Sequence, residues 1–195
     1  MTAGRAAIIE APSQVAVADV EYGDPGPGEV LVRLTATGLC HTDLGVLAGG
    51  IPFPTPGIIG HEGAGRVEKV GAGVASVVPG DAVLLSFTSC GTCGSCRSAP
   101  PAYCETWLPR NLLGGIRAEG SAGITRDGAA IASHFFGQSS FGTYAIADER
   151  SLVRVADDAD LTVLAPLGCG VLTGFGSMWN VLDPGASDIV AVYGA

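Results

Sequence analysis

Positive charge is scarce in this sequence: ten lysines and arginines stand against nineteen acids in 195 residues, a formal net charge of −9. So acidic a surface does not track a phosphate backbone, and nucleic acid is not an expected partner. A local anion site stays open, because backbone N–H groups bind phosphate whatever the net charge. Long hydrophobic runs are missing too. No stretch offers the roughly 18 apolar residues, free of glycine and proline, that a membrane span prefers. The first residues, MTAGRAAIIEAP, lack the apolar core of a secretory leader. Charged residues make up only 15% of the chain and hydrophobic ones 47%, which excludes a disordered tail. The expectation is a cytoplasmic protein without a membrane partner, in a compartment where thiols stay reduced.

Glycine (30 residues) and proline (12) are abundant instead, and they punctuate short runs rich in valine and isoleucine. RAAIIEA (5–11), QVAVADVEY (14–22) and EVLVRLTATGLC (29–40) read as strands, the last two separated by the turn DPGPGE. GIIGHEGAGRVEKVGAG (57–73) reads as one long bent strand whose glycines mark bulges or close backbone approach. VVPGDAVLLSF (77–87) is a turn feeding a strand. An irregular stretch then runs to about Ser133, and strand character returns at 140–156. Longer apolar runs over 157–186 suggest two helices separated near Pro166, and SDIVAVYGA (187–195) reads as a fresh parallel-type strand. The order predicts a mainly β chain with some α, built on a partly open barrel.

Four of the six cysteines fall within CGTCGSCRSAPPAYC, at Cys90, Cys93, Cys96 and Cys104. Gly91, Gly94 and the Pro100–Pro101 pair argue for irregular backbone there. Four thiolates at C-x2-C-x2-C-x7-C can close round one ion tetrahedrally and leave no position for substrate. A ferredoxin cluster would place its fourth cysteine three residues on and follow it with proline, whereas Glu105 follows here. The spacing also admits rubredoxin-like iron; structural zinc is the expectation.

Cys40 and Cys169 stand alone in sequence, and a lone cysteine is as often a buried small hydrophobe as a ligand. Only three histidines exist. His61 lies in the apolar, glycine-rich IIGHEGAG, where an imidazole needs a partner, and Cys40 opens the polar cluster CHTD (40–43); His134 reads as a loop residue. Two thiolates, one imidazole and one open position would make a catalytic zinc site. Spacing leaves open whether Cys40, His61 and Cys169 meet.

GLCHTD (38–43), GHEGAG (60–65), the cysteine loop and PLGCGVLTG (166–174) together resemble the zinc-dependent medium-chain alcohol dehydrogenases. FFGQSSFGTYA (135–145) and PAYCE (101–105) are more similar to the aryl-alcohol (benzyl-alcohol) branch. The resemblance implies a GroES-like catalytic domain over 1–156 with a structural zinc lobe at 88–105. Residues 157–195 would be connecting helices and the first strand of a truncated Rossmann domain, in a chain without turnover of its own. It implies two zinc ions per chain, one structural and one catalytic, the latter on Cys40, His61 and Cys169. The implied reaction is hydride transfer between a primary, aromatic alcohol and NAD, with NADP as the alternative and zinc favouring the alkoxide. Thr42 would take the alcohol proton; Glu62 would approach the metal from behind, and Asp43 would orient His61. His41 would face the cofactor pyrophosphate and Thr173 the nicotinamide, while Gly194 would be the first glycine of the phosphate loop. Phe87, Phe135 and Phe136 are the expected substrate-pocket wall. Many relatives carry a relay histidine where Gly45 stands, so the proton would leave through water or the cofactor ribose. The implied partners are a small alcohol or aldehyde and further copies of the intact chain, as dimer or tetramer. Two other readings remain open: a zinc-stabilised binding module without catalysis, and the same chemistry on terpene or other allylic alcohols.

Overall fold

Strand β1 (Thr2–Ala11) turns at Ser13, which takes a positive φ, into β2 (Gln14–Tyr22), and the two run antiparallel along almost their whole length. This hairpin opens the computed structural model, which describes residues 1–114, 117 and 122–193. Strand β3 (Glu29–Thr37) pairs on one side with β5 (Gly63–Val70) and on the other with β9 (Tyr144–Asp148). Two five-stranded sheets result. One has the order β4 (Gly57–Ile58), β1, β2, β7 (Ile124–Arg126), β8 (Ala129–Ile131); the other runs β10 (Leu152–Arg154), β6 (Ala82–Leu85), β5, β3, β9. All these pairings are antiparallel.

Val30, Leu31 and Val32 are all fully buried, so β3 has apolar partners on both faces. Leu31 joins Ile8, Tyr22, Ile58, Ile124 and Ile146 in one cluster, while Val30 and Val32 pack with Val67, Val83 and Leu85 in another. Each fully buried Ile or Leu contributes roughly 1.5–3 kcal/mol, which makes this strand the keel of the molecule. A third cluster, Ala64, Ala82, Leu84, Leu161 and Ala165, seats the C-terminal helices on the second sheet.

Several expectations are corrected. The strand expected over 57–73 breaks after Ile58, because Gly60 adopts φ +92°, and His61 and Glu62 occupy irregular backbone between β4 and β5. The strand expected to Cys40 stops at Thr37, and a short helix α1 (His41–Leu47) follows. Within the cysteine loop, Cys93 Sγ accepts the Cys96 N–H and caps a one-turn helix, α2 (Gly94–Ser98). A second short helix, α3 (Trp107–Asn111), lies in the stretch expected to be irregular. The β7–β8 hairpin was also not foreseen. Its turn, Asp127-Gly128, has positive φ at both residues, the type I′ geometry that Asp-Gly favours. The helical break falls at Cys169, not Pro166: α4 (Leu161–Leu164) runs on to Gly168, and α5 (Gly170–Ser177) leaves at a 57° bend. Pro166 fits the first turn of the 3-10 segment, where its missing N–H is not needed. No strand forms over 187–193, where no neighbouring strand offers a ladder among the described residues; Ile189 and Tyr193 are almost fully exposed. Among the described residues no single helix is long and apolar enough to cross a membrane.

His134, expected as a loop residue, is completely buried, and neither ring nitrogen has a hydrogen-bond partner among the described residues. Burial pushes its pKa down to about 3, and the charges of Arg117 and Arg110 act in the same direction. As pH falls the unfolded chain, at the ordinary histidine value of 6.5, therefore takes the proton first. The stability contributed by a neutral His134 is full above about 6.5 and is lost progressively towards about 3. In urea unfolding at stepped pH, wild type should lose on the order of a few kcal/mol over that window, and His134→Leu measurably less. Equal acid slopes in both proteins would exclude His134 as the source.

Candidate metal centre and adjoining cavity

Three elements that are distant in sequence meet where α1 begins. Asp43, at the third position of α1, is 1% exposed, and its Oδ2 accepts the Cys40 N–H at 3.0 Å. That bond is one half of a capping box, and it holds Cys40 at the helix entry. Asp43 Oδ1 accepts the Gly60 N–H at 3.2 Å and lies 3.0 Å from His61 Nδ1. The carboxylate thereby sets the imidazole so that Nε2 points away from it. Phe136 stacks on the His61 ring at 4.6 Å between centroids, and Phe135 meets its edge at 5.5 Å. Nε2 is buried and has no hydrogen-bond partner among the described residues.

What Nε2 faces is a set of donors. The ligand atoms of Cys40, His61, Glu62 and Cys169 all lie within 4.8 Å of one another. Cys169 arrives at the bend between the C-terminal helices, and the Gly170 N–H that opens α5 donates to Glu62 Oε1 at 2.9 Å. The other Glu62 oxygen lies against Gly38, where any Cβ would collide with it. Burial by itself lowers the His61 pKa, but the bond to Asp43 and the nearby Cys169 sulfur outweigh it and lift the metal-free imidazole to about 10. Burial likewise raises the Cys40 thiol, yet the Thr42 N–H and hydroxyl and the imidazole bring it below the usual thiol range. A buried, orphaned imidazole nitrogen beside two thiols and a carboxylate suits a borderline-soft cation such as zinc.

A cavity of about 190 Å³ opens directly on this set, lined by His61, Phe87, Trp107, Phe136, Gly168, Cys169, Leu172 and Thr173. Trp107 meets Phe136 edge-on at 5.6 Å and is tilted against Phe87 at 6.3 Å. Sequence reasoning missed Trp107; its position three residues beyond Cys104, as one of only two tryptophans, was the available signal. Phe87 and Phe136 both line this cavity. Phe135 does not line the cavity: it is fully buried behind Phe136, in a cluster with Ile9, Val46 and Ile59.

The other expected residues fall as follows. Thr42 Oγ1 lies 3.7 Å from Cys40 Sγ, at the rim of the donor set. His41 is exposed at the start of α1, and Thr173 is exposed on α5 while also lining the cavity. Gly194 lies outside the described residues.

The sulfurs of Cys90, Cys93, Cys96 and Cys104 also lie within 4.8 Å of one another, apart from the first set. Backbone N–H groups point at them: Thr92 and Cys93 donate to Cys90 Sγ, Cys96 to Cys93 Sγ and Cys90 to Cys104 Sγ, at 3.3–3.5 Å. The Thr92 and Cys93 N–H groups bring the Cys90 thiol down to about 5, while burial and the neighbouring thiols push Cys96 up to about 11. Such a set needs a shared cation for all four sulfurs to be thiolates together. Four sulfurs with no oxygen donor fit a closed zinc site.

The Alcohol dehydrogenase GroES-like domain family matches residues 26–157. The chain is 46% identical to the geraniol dehydrogenase of Castellaniella defragrans over 180 residues, which is 92% of this chain and 48% of that protein. It is 38% identical to the S-(hydroxymethyl)glutathione dehydrogenase of Escherichia coli, over 97% of this chain and 52% of the relative. Among solved structures, the benzyl alcohol dehydrogenase of Acinetobacter calcoaceticus superposes with a TM-score of 0.86 at 38% identity, covering 93% of this chain and 49% of that one. An alcohol dehydrogenase zinc-binding domain protein from Burkholderia ambifaria gives 0.87 at 42%, with the same coverage. The chain thus spans about half the length of the curated relatives it matches.

If the four sulfurs of the loop share an ion, stripping metal with a chelator will open the lobe locally. Trypsin cleavage after the exposed Arg97 should then quicken by about tenfold or more, read by mass spectrometry, while the two sheets stay protected. Unchanged cleavage would mean that the lobe holds without metal.

Proposed function

This chain belongs to the alcohol dehydrogenase GroES-like domain family, and from that premise we propose that it carries the alcohol-binding half of a zinc-dependent oxidoreductase interconverting a primary alcohol and its aldehyde. One observation carries the reading: the ligand atoms of Cys40, His61, Glu62 and Cys169 lie within 4.8 Å of one another, and the buried His61 Nε2 has no hydrogen-bond partner among the described residues. Cys40, His61 and Cys169 would hold the catalytic zinc, and the four-cysteine loop a second, structural one. A zinc ion held there would polarise an alcohol oxygen and lower its pKa towards neutrality. A scaffold module has no use for the first set, which counts against the non-catalytic alternative.

The chain's own groups supply the rest. Asp43 holds His61 in the tautomer that presents Nε2 to the donor set, since its carboxylate takes the proton of Nδ1 as a hydrogen bond. Thr42 Oγ1, at the rim of that set, receives the hydroxyl proton of the alcohol. Gly45 offers no imidazole beyond it, so the proton goes on to water or to the cofactor ribose. Phe87, Trp107 and Phe136 exclude water and orient the alcohol carbon towards Thr173. Hydride chemistry belongs to the nicotinamide of NAD, with NADP as the alternative. His41, Thr173 and Gly194 are its proposed contacts on this chain, His41 being a weaker phosphate partner than arginine. Residues 1–156 form the proposed catalytic domain and 157–195 the lead into a nucleotide-binding one, and the proposed assembly is a homo-oligomer.

The proposed substrate is aromatic, because three rings flank a small cavity beside the donor set. The likeness to a geraniol dehydrogenase favours a second reading, an allylic terpene alcohol. Steady-state NADH formation by the protein that carries this chain distinguishes them. The aromatic reading predicts a higher kcat/KM for benzyl alcohol than for geraniol or ethanol. Trp107→Ala should lower the benzyl alcohol value by about tenfold, with ethanol changed by less than about threefold. An equal fall for ethanol would place Trp107 outside the substrate wall, and no NADH from any alcohol would contradict the oxidoreductase reading.

A further inference from the structure

Gln138 is completely buried, yet no step described above uses it. Its Oε1 accepts the Gly63 N–H at 3.0 Å, and its Nε2 donates to the His61 carbonyl at 2.9 Å and to the Ser86 carbonyl at 3.3 Å. The orientation of the amide is forced: an N–H can only donate and a carbonyl can only accept, so oxygen must face Gly63 and nitrogen the two carbonyls. One planar group thus clamps the backbone on both sides of Glu62, at the His61 carbonyl and the Gly63 N–H, and ties it to the residue before Phe87. The His61–Glu62 dipeptide lies in the gap between β4 and β5, after the left-handed turn at Gly60, where the Glu62 carbonyl accepts the Gly38 N–H at 2.9 Å. Ser139, the next residue, is equally buried but bonds elsewhere: its hydroxyl donates to the Ile58 carbonyl at 2.6 Å and accepts the Phe135 N–H at 2.9 Å.

We propose that Gln138 is a positioning residue that aims His61 Nε2 and the Glu62 carboxylate at Cys40 and Cys169. The proposal rests on the metal-site reading above. A side chain with donor and acceptor in one plane is required, because a ligand displaced by a fraction of an ångström binds metal less tightly. Asp43 fixes the imidazole from its ring side and Gln138 fixes it from its backbone side; together they leave the ligand little freedom.

The test follows metal release from the zinc-loaded chain into a chelating dye. Wild type should release in two phases, and Cys169→Ser should abolish the one that belongs to the Cys40, His61 and Cys169 set. Gln138→Met keeps the length of the side chain and loses all three bonds. It should speed that phase about 10–100-fold and leave the four-cysteine phase within about twofold. Gln138→Glu keeps only the acceptor for Gly63, so it should speed the same phase, and it serves in place of Gln138→Met should that variant not fold. Circular dichroism at the assay temperature reports the folding of every variant, and the four-cysteine phase reports an intact cysteine loop. Ser139→Ala should lower the melting temperature without speeding the Cys169-dependent phase. An unchanged rate in both Gln138 variants overturns the proposal, as does equal acceleration of both phases or the same acceleration in Ser139→Ala. A wild-type chain with a single phase, indifferent to Cys169→Ser, sinks the metal-site reading itself and the role of Gln138 with it, and shows this before any Gln138 variant is made.

Discussion

A single buried carboxylate joins the parts of the site. Asp43 accepts hydrogen bonds from the backbone of Cys40 and of Gly60, and it meets the ring of His61. A carboxyl group at 1% exposure is costly to bury unless its oxygens are occupied, and here three partners occupy them. All three of these partners are, or adjoin, a proposed ligand. Satisfying Asp43 and bringing Cys40 to His61 are therefore the same structural event. The irregular course of the chain follows from it: β3 must end at Thr37 to let α1 begin, and the strand after Ile58 must break to bring His61 back across the helix start. Leu31, Val30 and Val32, buried on both faces of β3, supply the rigid base from which that loop departs.

The two sulfur-bearing sets differ in how they depend on the fold. Cys90, Cys93, Cys96 and Cys104 lie within fifteen residues, so a local loop with its own N–H···S bonds brings them together. Cys40, His61 and Cys169 span most of the chain, and they meet only after both sheets and the C-terminal helices have packed. A disturbance of the second sheet should reach the dispersed set before the local one. The aromatic cavity shares this dependence, because Trp107 comes from α3, just after the cysteine lobe, Phe136 from the loop beneath His61 and Leu172 from α5.

This difference also explains what could be read in advance. The four-cysteine set was legible from spacing alone, and the strands with clear alternation, such as QVAVADVEY, fell where periodicity put them. Meeting of the dispersed trio was legible only through resemblance, since no periodicity connects Cys40 to Cys169. The helix at His41–Leu47 was missed because its start signal is unusual: a cysteine stands at the cap, and only the Asp43 half of the capping box resembles the common pattern. The β7–β8 hairpin was missed although Asp127-Gly128 announces it, because its three-residue strands are too short to show alternation. Gln138 has no sequence signature, since its bonds arise from tertiary contacts, and Trp107 offered only its place three residues beyond Cys104.

The central claim is that one chain builds two chemically different metal sites, one all-sulfur and one of mixed sulfur and nitrogen. Zinc per chain by elemental analysis, together with zinc-edge X-ray absorption on the same sample, tests it most directly. The account predicts two zinc ions per chain, with a sulfur shell at about 2.3 Å and a nitrogen or oxygen shell at about 2.0–2.1 Å. A single zinc with a sulfur shell alone would contradict it.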